Sequence, residues 1–238
     1  MFDELRNPAV AALALPDFRI AAKTWEGWPE GSSCLDFDPV ALRQYARAVE
    51  LSPPNQTYWY HLAAVLLWRG DRDGHRKHCQ ELLRRFGQST DPLVVERTAK
   101  ACLIVPGTVA DHSPLVRLTG QALIGTKKHW AYPWFVQARA LAECRAGRPA
   151  KAIAWIQMGR QQFKATLAHY RALNKLILSL ADHQLKEGEK ARQALDEAVQ
   201  IIDHELPKER SGDLGADWLD WVYCHVLRRE AEGLLKTK

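Results

Sequence analysis

Three residues of this 238-residue chain have types and spacing that resemble a metal-binding site, and they lie on one predicted helix. His75, His78 and Cys79 include a pair spaced i and i+4, which places two side chains on the same helix face. Zinc takes four protein ligands, or three and a water, and no second pair at ligand spacing is visible. The pattern therefore favours core packing of His75 and Cys79, and we expect no bound metal and no cofactor.

Other polar residues could in principle bind calcium or do acid–base work. Asp71-x-Asp73-Gly74 has the spacing that begins a calcium loop, but the later acidic ligands are missing, and a turn with a helix cap explains the same residues. The candidates for acid, base or nucleophile are Asp182-His183, Asp203-His204-Glu205, Cys102 and Cys144. Nothing in the sequence places a partner beside any of them, so we predict no catalytic residue and no enzyme.

Pro and Gly residues mark where the elements that carry these side chains begin and end. Pro follows a capping residue at Asp91-Pro92, for example, and Gly residues such as Gly70 and Gly147 stand where helices should stop. No segment shows the repeated alternation of a sheet, so the fold class is predicted to be all-α. The predicted helices span 39–51, 56–69, 72–86, 92–105, 114–124, 133–146, 149–163, 167–186, 189–205 and 216–235.

Residues 41–87 repeat with a period of 34 residues. Ala41, Tyr45, Ala48 and Pro53 are followed one period later by His75, Cys79, Leu82 and Gly87. A 34-residue unit of two helices is typical of the tetratricopeptide repeat (TPR) family, which this stretch resembles. The resemblance implies an α-solenoid: a right-handed superhelix of antiparallel helix pairs, in which each pair needs stacked neighbours to bury its apolar face.

Two regions differ in composition, and we predict a boundary between them. Residues 1–37 mix Gly, Pro and Ser with Trp25 and Trp28, and are predicted to be an irregular N-terminal segment. Residues 38–238 are predicted to form the TPR-like helical-repeat domain. Its last helix, in about 213–238, has a charged side and is predicted to cap the array.

The predicted helix 56–69 carries two apolar stripes. Trp59, Leu62, Ala63 and Leu66 form the first, which packs within the repeat, and Tyr60, Ala64, Leu67 and Trp68 form the second stripe. In TPR proteins the corresponding face lines a peptide groove. Our candidate peptide groove is therefore Thr57, Tyr60, Ala64, Leu67 and Trp68. The alternative is that a neighbouring helix, or residues 1–37, covers the second stripe.

Composition limits the classes of partner and compartment. The net charge is +5 and the pI is about 9.0, but Lys and Arg are interleaved with Asp and Glu, so the charge pattern does not favour a nucleic-acid partner. Five Cys without a C-x-x-C motif indicate reduced thiols rather than a disulfide framework. No signal peptide or membrane span is predicted, so we expect a cytoplasmic protein without a membrane partner.

The repeats also resemble a more specific class of protein. Over roughly residues 39–238 the chain is similar to the C-terminal helical-repeat region of large bacterial serine/threonine kinases. The residues that carry this resemblance are Trp59-Tyr60-x-Leu62-Ala63, Gly70-Asp71-Arg72, Leu82-Leu83-x2-Phe86-Gly87, Asp91-Pro92, Ala101-Cys102-Leu103, Arg145-Ala146-Gly147-Arg148 and Leu227-Arg228-Arg229-Glu230-Ala231-Glu232.

The N-terminal segment resembles a different part of the same kinases. Leu13-Ala14-Leu15-Pro16-Asp17 and Trp25-Glu26-Gly27-Trp28-Pro29-Glu30-Gly31 resemble the entry into a WD-type β-propeller, but helical repeats follow here instead of a propeller. The glycine-rich loop, the V-A-I-K lysine and the H-R-D and D-F-G motifs of a kinase domain are all missing. The resemblance therefore implies a regulatory or scaffolding fragment without kinase activity.

The sequence as a whole predicts a non-catalytic scaffold that binds a protein or peptide. A structural or regulatory remnant of a multidomain serine/threonine kinase, with no partner of its own, is the main alternative. Non-specific nucleic-acid binding is a weaker one. Neither the partner nor the oligomeric state is specified by these residues.

Overall fold

The computed structural model describes residues 21–23, 34–36, 39–162, 167–207 and 217–236, and ten α-helices account for most of them. Every described helix lies within two residues of a predicted one at both ends, so the all-α prediction is confirmed for the described residues from 39 onward. The helices are α1 (Pro39–Leu51), α2 (Gln56–Trp68), α3 (Arg72–Phe86), α4 (Pro92–Leu103), α5 (Ser113–Ala122), α6 (Tyr132–Arg145), α7 (Pro149–Gln162), α8 (Ala168–Gln184), α9 (Gly188–Glu205) and α10 (Trp218–Lys236).

Two short strands precede the helices. β1 (Ala21–Lys23) pairs in antiparallel fashion with β2 (Cys34–Asp36), with Ala21 opposite Asp36. They lie inside the segment 1–37 that the sequence predicted to be irregular. Trp25 and Trp28 of that segment lie outside the described residues.

Side-chain caps and left-handed residues explain where several helices begin and end. Oδ1 of Asp91 accepts a hydrogen bond from the Leu93 amide at 2.8 Å, which satisfies one of the free N–H groups of the first turn of α4. The Asp71 side chain does the same for Gly74 in α3, so the apparent calcium motif is a helix cap. At the end of α8 the left-handed residue is Lys186, with φ of 63°, and Gly188 instead begins α9.

Helices that are neighbours in sequence pack against each other along the chain. α8 and α9 form the most extensive pair and α6 and α7 the next, while α4 also contacts α2 and α6. Their buried side chains merge into one continuous apolar core, and a smaller cluster surrounds Tyr132 and Phe135 at the start of α6. α10 contacts α8 and α9, and it also reaches α2 near the other end of the array.

None of the described helices combines the length and the apolar character that crossing a bilayer requires.

His75 and Cys79 lie in the core between α3 and α4, as the repeat pattern predicted. His75 is only 1% exposed, and its Nε2 lies 3.3 Å from Sγ of Cys79. In the part of the chain that the structure describes, no group of three or more His, Cys, Asp or Glu side chains is placed to hold a metal ion. Burial, and to a smaller extent the nearby His78, lower the pKa of His75 to about 4, so the imidazole is neutral at pH 7.

Lowering the pH to 5 is expected to cost about 2 kcal/mol of the free energy of unfolding through His75 alone. Unfolded His75 takes up a proton below its ordinary pKa of 6.5, whereas folded His75 does so only near pH 4. The contribution of neutral His75 to the free energy of unfolding is therefore complete above pH 6.5. It is lost as the pH falls from 6.5 towards 4, by about 1.36 kcal/mol per pH unit. Urea unfolding at pH 7 and pH 5 measures this loss.

The control for this prediction is His75→Gln, whose amide does not titrate. The difference in stability between pH 7 and pH 5 should be about 2 kcal/mol smaller in the variant than in the original protein. An identical pH dependence of the two proteins would show that His75 does not titrate as its burial requires.

Candidate functional site

The candidate peptide groove on α2 is not open in this structure. Tyr60, Ala64, Leu67 and Trp68 are all buried, and Thr57 is half-buried. Oγ1 of Thr57 accepts a hydrogen bond from Arg97 of α4 at 3.0 Å, so this end of the predicted groove faces α4. The two aromatic residues of the second stripe, Tyr60 and Trp68, contact another helix.

The C-terminal helix α10 covers the second stripe with aromatic side chains. The rings of Tyr60 and Tyr223 have their centroids 5.7 Å apart, and those of Trp68 and Trp221 are 5.0 Å apart. Trp218, one turn earlier on α10, lies 5.6 Å from the ring of His61. Tilted and edge-on pairs at these distances are favourable beyond the apolar area that they bury. The chain therefore places its own helix where the sequence predicted a peptide.

A buried cluster of charges lies beside this aromatic contact. Nζ of Lys100, on α4, is 2.6 Å from Oε1 of Glu96 and 3.3 Å from Oδ1 of Asp220, the third residue of α10. Burial alone would lower the pKa of Lys100, but the two carboxylates outweigh it and hold the pKa above its usual value. Burial raises the pKa of Glu96. Lys100 therefore stays charged, and its ion pair with Asp220 connects α4 to α10.

The charged side of α10, which the sequence assigned to a capping role, is also used in packing. Nη1 and Nη2 of Arg145, on α6, bind the two carboxylate oxygens of Glu230 at 2.5 and 2.6 Å. The same guanidinium donates to the carbonyl oxygens of Leu103 and Ile104, where α4 ends. Such bidentate pairs have a fixed geometry, so Arg145 sets the position of α10 against α4 and α6.

A different surface is left exposed between α5 and α6. Ile124 is 77% exposed and Trp130 is 70% exposed, and no other large apolar side chain among the described residues is as exposed as these two. Lys127 and Lys128, between them in sequence, are exposed as well. We call residues 124–130 the 124–130 loop. Single exposed apolar residues are common, whereas this short loop exposes two large ones, and Trp is among the residue types enriched at protein interfaces.

Local hydrogen bonds give the 124–130 loop a defined shape. Oγ1 of Thr126 donates to the carbonyl oxygen of Ala122 at 2.7 Å, and the carbonyl oxygen of Thr126 accepts from the amide of His129 at 2.8 Å. Gly125, with φ of 74°, supplies the left-handed turn that ends α5. The loop would therefore lose little conformational entropy when a partner binds it.

Trp130 is the outermost of a row of aromatic rings. Its ring centroid lies 5.9 Å from that of Trp134, which lies 5.7 Å from that of Tyr170 on α8. Trp134 packs on the small core cluster that surrounds Tyr132. The exposed indole is thus supported from behind by ordered side chains.

The 124–130 loop was not predicted from the sequence, because a large apolar residue such as Trp is usually buried. A signal was nevertheless present. Trp130 falls between two predicted helices, 114–124 and 133–146, where a large apolar side chain has no helix face to join. The adjacent Lys127 and Lys128 make burial of this stretch still less favourable.

No protein-family model matches this chain, and no curated protein is significantly similar to it.

Proposed function

We propose that this chain is a non-catalytic scaffold that binds another protein through the 124–130 loop. The scaffold is built on TPR-like helix pairs arranged as a right-handed superhelix. The 34-residue period of residues 41–87 and the packing of neighbouring helices support this arrangement. In this proposal the second stripe of α2 serves the fold, because α10 occupies it, and the partner binds on the outside.

One observation carries the proposal, namely the exposure of Trp130 on an ordered loop. Trp is among the residues that most often dominate the energy of protein interfaces, and leaving its large apolar surface in water is unfavourable. Since the supporting rings of Trp134 and Tyr170 hold the indole in place, a partner could bury it without rearranging the scaffold. The resemblance to kinase-associated repeats stays a prediction.

The test compares partner capture by the full chain and by a variant of the loop. The double variant Ile124→Ser, Trp130→Ala should no longer retain the proteins that the original chain captures from a lysate of its native host. Quantitative mass spectrometry measures the difference. The fold should be unaffected, because substitutions at exposed positions usually change stability by less than about 0.5 kcal/mol.

Leu185→Ala is the matched control, because Leu185 is also an exposed apolar side chain, 43% exposed, but follows α8 rather than α5. It should retain the same proteins as the original chain. If the loop variant and the Leu185 variant retain the same set, the 124–130 loop is not the binding surface and the proposal fails.

A further inference from the structure

The stretch of chain around the 124–130 loop carries no acidic residue. From His112 to Ala142 the sequence contains two Lys, two Arg and no Asp or Glu. Arg139 is paired with Glu143 at 2.6 Å, a carboxylate that it shares with Arg148, whereas Arg117, Lys127 and Lys128 form no ion pair with the residues that the structure describes. The apolar side chains of the loop are therefore accompanied by two uncompensated positive charges.

We propose that the partner of the 124–130 loop presents an acidic peptide segment with a large apolar side chain in it. This inference rests on the proposed function and specifies its partner. Carboxylates of the segment would pair with Lys127 and Lys128, and its apolar side chain would pack on Trp130 and Ile124. The apolar contact supplies most of the affinity, since exposed ion pairs contribute little. The charges speed association and exclude basic partners.

Ile124 favours a peptide over a single-stranded nucleic acid as the occupant. Nucleic-acid surfaces combine cations with aromatic faces on which bases stack, and an aliphatic side chain offers neither. Ile124 is nonetheless the most exposed large apolar side chain among the described residues.

Selection from a random dodecapeptide display library on the full chain tests the proposal. Enriched peptides should combine Asp or Glu with Leu, Phe or Trp. A representative synthetic peptide should bind about tenfold or more weakly to Trp130→Ala, as expected when an aromatic anchor is lost. Lys127→Gln with Lys128→Gln should weaken binding at low salt and make the affinity less dependent on salt.

The possible outcomes distinguish a failure of this inference from a failure of the proposed function. Enriched peptides that depend on Trp130 but are neutral or basic would overturn this inference and leave the proposed function standing. Peptides that bind Trp130→Ala as well as the original chain, or no enrichment at all, would count against both. Binding of oligouridine that is lost in Trp130→Ala would overturn the inference in favour of a nucleic-acid surface.

Discussion

Trp68→Ala is expected to lower the free energy of unfolding by about 3–5 kcal/mol, the range for removing a large aromatic side chain from a core. Trp68 lies on the second stripe of α2, and its ring centroid is 5.0 Å from that of Trp221 on α10. The substitution therefore leaves a cavity between α2 and α10. Trp59→Ala, on the first stripe, should cost a similar amount, because Trp59 is equally buried.

Trp130→Ala is the matched control for Trp68→Ala. It removes the same atoms from a side chain that is 70% exposed, so urea unfolding should show a change of less than about 0.5 kcal/mol. If Trp68→Ala cost as little as Trp130→Ala, α10 would not be packed on the second stripe. The candidate peptide groove of Thr57, Tyr60, Ala64, Leu67 and Trp68 would then be open to a partner.

Lys100→Met is expected to destabilise the protein by a similar amount, about 3–5 kcal/mol, but for an electrostatic reason. Methionine keeps much of the length and apolar surface of the lysine stem and removes its charge. Glu96 and Asp220 would then share a buried site without the cation that now lies 2.6 and 3.3 Å from them. Since two carboxylates in such a site repel each other, α10 would lose its attachment to α4.

Lys190→Met supplies the control for the charge effect. Lys190 is paired with Glu187 at 3.5 Å, but both side chains are largely exposed, so the pair is worth at most about 1 kcal/mol. Urea unfolding of both variants at pH 7 measures the difference. Equal costs for Lys100→Met and Lys190→Met would mean that the buried charge cluster does not hold α10.

Helix positions were predictable because local chemistry sets them. A Pro near the start of a helix and a left-handed Gly after its end act within one turn, as at Pro92 and Gly147. The exception, Lys186, shows the limit of that argument. A left-handed backbone after α8 is required by the turn into α9, and here a lysine adopts it although Gly188 stands two residues later.

The packing of α10 on α2 could not be predicted from local chemistry. The second stripe showed only that Tyr60 and Trp68 needed a cover, and several segments of the chain were apolar enough to supply one. The choice depends on pairings between distant residues, such as Lys100 with Asp220 and Arg145 with Glu230. Each of these residues also fits an exposed helix face when it is considered alone.

The contact between Tyr60 and Tyr223 joins residues more than 160 positions apart in the chain. During synthesis α2 therefore leaves the ribosome long before α10 has been translated. At a translation rate of roughly 5–20 residues per second, the aromatic face of α2 stays uncovered for on the order of ten to thirty seconds. Throughout that interval the nascent chain presents a surface on which a chaperone can act or another nascent chain can aggregate. The exposure ends only when α10 has left the ribosome and packs on α2.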